Sequence, residues 1–226
     1  MNHKSKQITS SLLLALTALI WGASFVAQSV GMEHVGPFTF NSVRSILGGI
    51  VLIPVIIFQS KKNRLQHPSK EEQTKSRKTL LVGGISCGIA LAIASSIQQI
   101  GISYTTVGKA GFITALYIVI VPIMGLFLKK KVHFIIWLSV LLATIGLYLI
   151  SITEGLTIGK GDFLILLCAI GFSVHILIID YFSPKVDGVK LSCIQFFVAG
   201  IICSIPMFAY ESPDMTSILS AAAPIM

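Results

Sequence analysis

Seven separate stretches of this chain are each long and apolar enough to cross a bilayer, and the basic residues between them gather in alternate connections. The stretches are 11–31, 36–58, 80–102, 107–128, 133–152, 162–182 and 190–210. At ~1.5 Å of rise per residue, a helix of about 20 residues covers the ~30 Å hydrocarbon layer. Each such segment must satisfy its own backbone donors and acceptors, which confines the chain to one fold class, an all-α polytopic membrane bundle. Composition agrees. With 54% hydrophobic residues, 12% charged residues and a mean hydropathy of +0.87, the 226 residues carry more apolar surface than a soluble domain can bury.

The charges also orient the bundle. Of the 17 Lys and Arg residues, all but Arg44, Lys109 and Lys160 lie in four places: the N-terminal tail (Lys4, Lys6), the 61–78 connection, the Lys129, Lys130, Lys131 turn, and the connection with Lys185 and Lys190. Positive charge on alternate connections puts these and the N-terminus in the cytoplasm of a multi-pass plasma (inner) membrane protein. The net charge of +8 does not point to nucleic acid, because the charges follow topology and have no aromatics among them; the expected macroscopic partner is the lipid bilayer. The first span follows Lys4 and Lys6 as a secretory signal would, but its apolar run continues through Phe25 and Val26, so it is read as an uncleaved helix. Cys87, Cys168, Cys193 and Cys203 all lie within spans without a C-x-x-C pair and are read as packing residues.

A repeat runs through the chain. Trp21 and Arg44 occupy the first two spans as Phe172 and Gln195 occupy the last two, and at that same 151-residue offset Gly22 meets Ser173, Asn41 meets Ser192 and Gly49 meets Gly200. Five spans separate the matching helices, an odd number, so the two units would be inverted in the membrane, as in secondary transporters that bind substrate between their repeats. The first unit is expected at 11–152 with five helices and the second at 160–226 with two.

These residues carry a resemblance. The run LIWGASF at 19–25, Pro37 and Arg44 in the next span, YTTVGKAGFIT at 104–114 and Tyr117 through to Pro122 resemble the drug/metabolite transporter superfamily, specifically its EamA-type members. CAIGFSVH at 168–175 and FSPKVD at 182–187 are similar to the opening of that family's second repeat. The resemblance implies a transporter of small organic metabolites or drug-like solutes, working by alternating access through a central cavity between inverted repeats. It also implies ten helices in a full-length member, so the chain reads as C-terminally truncated, with a second copy or complementing helices as further candidate partners. Many members carry an acidic residue after the fourth helix, where this chain has Lys129, Lys130 and Lys131.

Candidate substrate contacts follow from polar groups where lipid would not tolerate them. Arg44 lies about 12 Å into the second span, where a cation costs ~2.5–3.5 kcal/mol on insertion scales. It either faces a polar cavity or a substrate anion, or snorkels toward the outer headgroups or pins helices through backbone carbonyls. Trp21, beside Gly22 and Ser24 and one helical step before Gln28, either lines a passage or belongs to a seam where Gly22 admits a neighbouring backbone. Gln98 and Gln99, with Ser95 and Ser96, either join helices or offer donors and acceptors to a solute; the two glutamines point about 100° apart, so at most one faces a cavity squarely. Lys109 opposes the helix dipole at the start of the fourth span and, with Thr114 and Tyr117, forms either a polar rim or a surface turn. Pro122 should loosen that helix near its middle. His175, matched to Ser24 by the repeat, is a cavity residue and proton carrier or a satisfied interhelical histidine.

The absences bear on chemistry. All nine acids sit in loops or near span ends, and there is no H-E-x-x-H, G-x-S-x-G or Walker loop. Intramembrane hydrolysis and ATP-driven pumping therefore lack their groups, and no metal, cofactor or enzymatic activity is expected. Two other readings remain at this level. One is a seven-helix receptor or sensor, against which the cytoplasmic N-terminus argues; the other is a non-transporting truncated remnant.

Overall fold

The computed structural model describes residues 3–62, 70–128, 134–152, 159–214 and 216–218. Among these the regular structure is entirely helical: α1 (His3–Gly31), α2 (Pro37–Lys62), α3 (Lys70–Ile102), α4 (Val107–Ala115), α5 (Tyr117–Phe127), α6 (Phe134–Ile152), α7 (Lys160–Phe182) and α8 (Gly188–Pro206), closed by a π-helical turn at Met207–Glu211. Six spans among the described residues are long and apolar enough to cross a membrane, with α4 and α5 together making one of them. The expected fifth span is the 19-residue α6, which contains no acidic or basic side chain. The Lys129, Lys130, Lys131 turn lies outside the described residues, as do residues 63–69 of the basic connection.

Local signals set the helix starts. Pro37 stands at the first position of α2, where its fixed φ suits a helix and its missing N–H costs nothing. Thr106 caps α4 by accepting from the Lys109 N–H, and Asp187 caps α8 by accepting from Val189 and Lys190. The fourth span is interrupted at Leu116, not at Pro122 as the sequence suggested. Val119 and Ile120 both donate to the Leu116 carbonyl, while Pro122 stays inside α5.

Small residues place α3 at the centre. It lies between α7 and α8, with α2 on the far side of α8. Gly83, Gly84 and Gly88 rest on Leu191, Ile194 and Val198, and a methyl group at Gly88 would stand 2.9 Å from the Gln195 carbonyl oxygen. With little hydrophobic drive between helices in lipid, close approach of this kind supplies dispersion contacts that larger residues would prevent. By contrast, α1 packs chiefly on α4 and presents Leu12, Leu14, Leu19 and Val26 outward, as a lipid-facing helix does.

The contacts between α2 and α8 come in reciprocal pairs. Ser42 Oγ donates to the Gly200 carbonyl at 3.1 Å, and Cys193 Sγ to the Gly49 carbonyl at 3.5 Å. A side chain at Gly49 would press on Phe197, and one at Gly200 would press on Ile46. Shifting either member of each pair by the repeat offset yields the other, which is the behaviour of an isologous contact about a two-fold axis. The helices are antiparallel, so this local axis lies across them.

Carboxylates join the two halves at one end. Glu211 accepts from the Phe38 and Thr39 backbone N–H groups at 2.9 and 2.7 Å and from Thr39 Oγ1 at 2.6 Å, capping α2 from across the bundle. Ser212, with φ of 41°, turns the chain just after it. Asp162 accepts from the Gly159 N–H at 2.8 Å and from the Thr105 hydroxyl, and lies 3.9 Å from Lys109 Nζ. Lys160 sits 5.5 Å from the Tyr104 ring centroid at the same end. Lys109 and Lys160, which broke the charge alternation, therefore share one face of the bundle.

Candidate functional site

Arg44 is two turns into α2, and the face it occupies is set by helical spacing: Asn41 is three residues back and Phe40 four. Its guanidinium Nη2 donates to Asn41 Oδ1 at 2.8 Å and stands 5.5 Å from the Phe40 ring centroid. Asn41 is fully buried, and its Nδ2 donates to the Ser95 carbonyl of α3 at 3.0 Å. The arginine is thus held in place from α3 through one amide. Among the described residues no carboxylate pairs with it. That leaves most of its five donors available to another group.

The open side of Arg44 faces a groove of about 340 Å³ between α1 and α2. Ser24, Ala27 and Gln28 form the α1 wall; Phe40, Val43 and Leu47 continue the α2 wall, and the lining is predominantly apolar. Ser24 Oγ donates to the Trp21 carbonyl at 2.7 Å, and Gln28 Nε2 to the Ser24 carbonyl at 3.1 Å. These bonds use the Ser24 hydroxyl donor and one of the two Gln28 amide donors. Gln28 Oε1 and Gln99 Oε1 are buried and have no hydrogen-bond partner among the described residues, an expensive condition for an amide oxygen in a low-dielectric setting.

Of the ten residues expected to contact substrate, the groove gathers Ser24, Gln28 and Arg44. Both helix 3 glutamines are buried in contacts with neighbouring helices: Gln98 Nε2 donates to Thr114 Oγ1 at 3.2 Å and Gln99 Nε2 to the Gln28 carbonyl at 3.4 Å. Thr114 is accordingly buried as an interhelical acceptor. Trp21 meets Tyr117 edge to face at 6.0 Å between ring centroids and is 46% exposed. No atom lies within 4 Å of the position a Gly22 side chain would take, so the close-packed seam at Gly22 is not formed with the described residues. Lys109 lies against Asp162. His175 is buried at the α7–α8 contact with its Nε2 3.0 Å from Gln195 Oε1, the arrangement of an interhelical histidine. Sequence reasoning passed over Asn41 as an Arg44 partner, although the i, i+3 spacing marks it, and over Glu211, whose partners lie 172 residues away and leave no local signal.

Apolar spanning helices, alternating basic connections and an apolar groove bordered by one arginine are the features of a multi-pass membrane protein. The chain belongs to the EamA-like transporter family, whose sequence profile matches residues 8–152. It is 32% identical over 198 residues to an uncharacterized transporter of Archaeoglobus fulgidus, covering 87% of this chain and 57% of that protein. It is also similar to the uncharacterized transporters YoaV and YvbV of Bacillus subtilis, at 21% and 22% identity, covering 65% and 69% of their lengths. The chain thus spans 57% of the length of the Archaeoglobus relative. No solved structure matches it.

Proposed function

We propose that this chain takes part in moving small organic metabolites or drug-like solutes across the plasma (inner) membrane, with its N-terminus in the cytoplasm. The observation that carries the reading is Arg44, a cation within an apolar groove, with no carboxylate partner among the described residues and with its geometry fixed by Asn41 and Ser95. Such a group is costly in a membrane unless it meets something polar, and a passing solute is the economical answer. Reciprocal contacts between α2 and α8 support two inverted units, 11–152 and 160–226, pivoting about one another so that the groove opens to each side in turn. Ser24, Gln28 and Arg44 are the proposed solute contacts, with Trp21 and Tyr117 at the margin; Gln98, Gln99 and Thr114 stiffen the wall behind them. Lys109 is assigned to the outer tie with Asp162, and His175 to helix packing.

The test is a screen of labelled metabolites in cells expressing the chain or Arg44→Ala at matched membrane levels. Solute movement in the first and none in the second is the expected result. Loss of the protein together with its activity would assign Arg44 to folding, and equal movement in both would remove it from the passage.

A further inference from the structure

We infer that Lys109 and Asp162 form a one-sided latch that holds α4 against α7 and keeps the outer end of the bundle shut. This deepens the transport reading and takes from it only the placing of this end outside the membrane; opening of the end is measurable without any solute.

At this end the α3–α4 connection is fixed and α4 itself is held more loosely. A methyl group at Gly161 would stand 2.6 Å from the Tyr104 carbonyl oxygen, and one at Gly101 would press on Ile165, so α3 and the connection lie directly on α7. Asp162 fastens that wall by accepting from the Gly159 N–H at 2.8 Å and from the Thr105 hydroxyl. Its third partner is of another kind. Lys109 belongs to α4, and its Nζ lies 3.9 Å from Asp162 Oδ2 with both side chains largely out of solvent. Beside this pair, Ile102, Ala110 and Ile165 are buried together from α3, α4 and α7. The nine-residue α4 parts from α5 at Leu116, whose carbonyl takes both Val119 and Ile120. A short half-helix tied at its outer end and broken from its continuation at the other can tilt as a unit.

The repeat makes the latch one-sided. At the 151-residue offset Asp162 corresponds to Ser11, so the inverted position has a hydroxyl where this one has a carboxylate. Ser11 cannot join an ion pair, whatever residue faces it. When two inverted units exchange open and closed ends, a tie at one end biases the exchange toward the state in which that end is shut. The pair is too well buried to be worth nothing, but at 3.9 Å it is loose. A bias of ~10-fold in population is therefore expected, below the effect of a tight buried pair.

Ala110→Cys, buried next to the pair, reports the opening. Its labelling rate with a membrane-impermeant maleimide on intact cells follows the population of the open state. Lys109→Gln, which leaves both wall bonds of Asp162 in place, should raise that rate ~10-fold, whereas Lys109→Arg, which keeps the charge, should stay within ~2-fold of the parent. Native Cys87, fully buried in α3, is read by mass spectrometry in the same sample and should stay unlabelled. Equal rises at both thiols would mean loss of the fold and would overturn the latch. Where Ala110→Cys fails to reach the membrane, Ile113→Cys in the same cluster replaces it. An unchanged rate in Lys109→Gln would refute the latch while leaving transport open. Labelling reached only from the cytoplasmic side would refute the outer placing of both.

Discussion

Replacing Glu211 with Ala removes three acceptor contacts at once: two to the first free N–H groups of α2 and one to the Thr39 hydroxyl. Hydrogen bonds to a charged group are worth ~1.5–3 kcal/mol each when fully buried. Glu211 is only half-buried, however, so water can replace part of what is lost, and an N-cap deletion of ~2 kcal/mol is the better guide. If opening of the α2 start controls exchange, that corresponds to ~30-fold faster amide hydrogen exchange at Phe38 and Thr39. Glu211→Gln keeps an acceptor and loses mainly the charge–dipole part, ~0.3–1 kcal/mol, so exchange there should rise only ~2- to 5-fold. The control is the start of α8, where Val189 and Lys190 are capped by Asp187 from their own helix. Residue-resolved exchange in nanodiscs measures all four amides. Unchanged rates at Phe38 and Thr39, or an equal rise at Val189 and Lys190, would refute the capping argument.

Further substitutions probe packing and polar satisfaction. Gly88→Leu should lower thermal stability sharply, because its side chain would meet the Gln195 backbone and Val198, whereas Gly22→Ala, with nothing within 4 Å, should leave the melting temperature within about a degree. His175→Ala should cost ~1–3 kcal/mol by leaving Gln195 Oε1 without its partner, measurable by thermal melting in detergent. The pH profile of any transport should keep its midpoint in that variant, and a displaced midpoint would restore His175 as a proton carrier. Trp21→Ala, which removes the edge contact with Tyr117, should alter the range of solutes moved, and an unchanged range would exclude it from the passage margin.

The spans were legible because each is a local property: an apolar run of fixed length, bounded by Pro37, by Thr106 or by Asp187. The 151-residue offset was equally legible, and the reciprocal bonds of Ser42 and Cys193 fall where it puts them. The candidate site was read less fully. A polar residue in a span must have a partner, but sequence does not say whether that partner is protein or solute. Gln98, Gln99 and His175 found neighbours on other helices, while among the described residues the side-chain bonds of Arg44 and Gln28 stay within their own helices. Long-range partners such as Glu211 on Thr39 depend on how helices cross, which periodicity does not encode.

The most direct test of the account is solute flux in liposomes reconstituted with the purified chain, using a labelled solute taken from the metabolite screen and protein-free liposomes as the baseline. The account predicts saturable, counterflow-stimulated flux for the wild type, with Arg44→Gln at baseline and Arg44→Lys partly active. Flux at baseline for a wild-type chain that melts cooperatively would contradict transport by this chain.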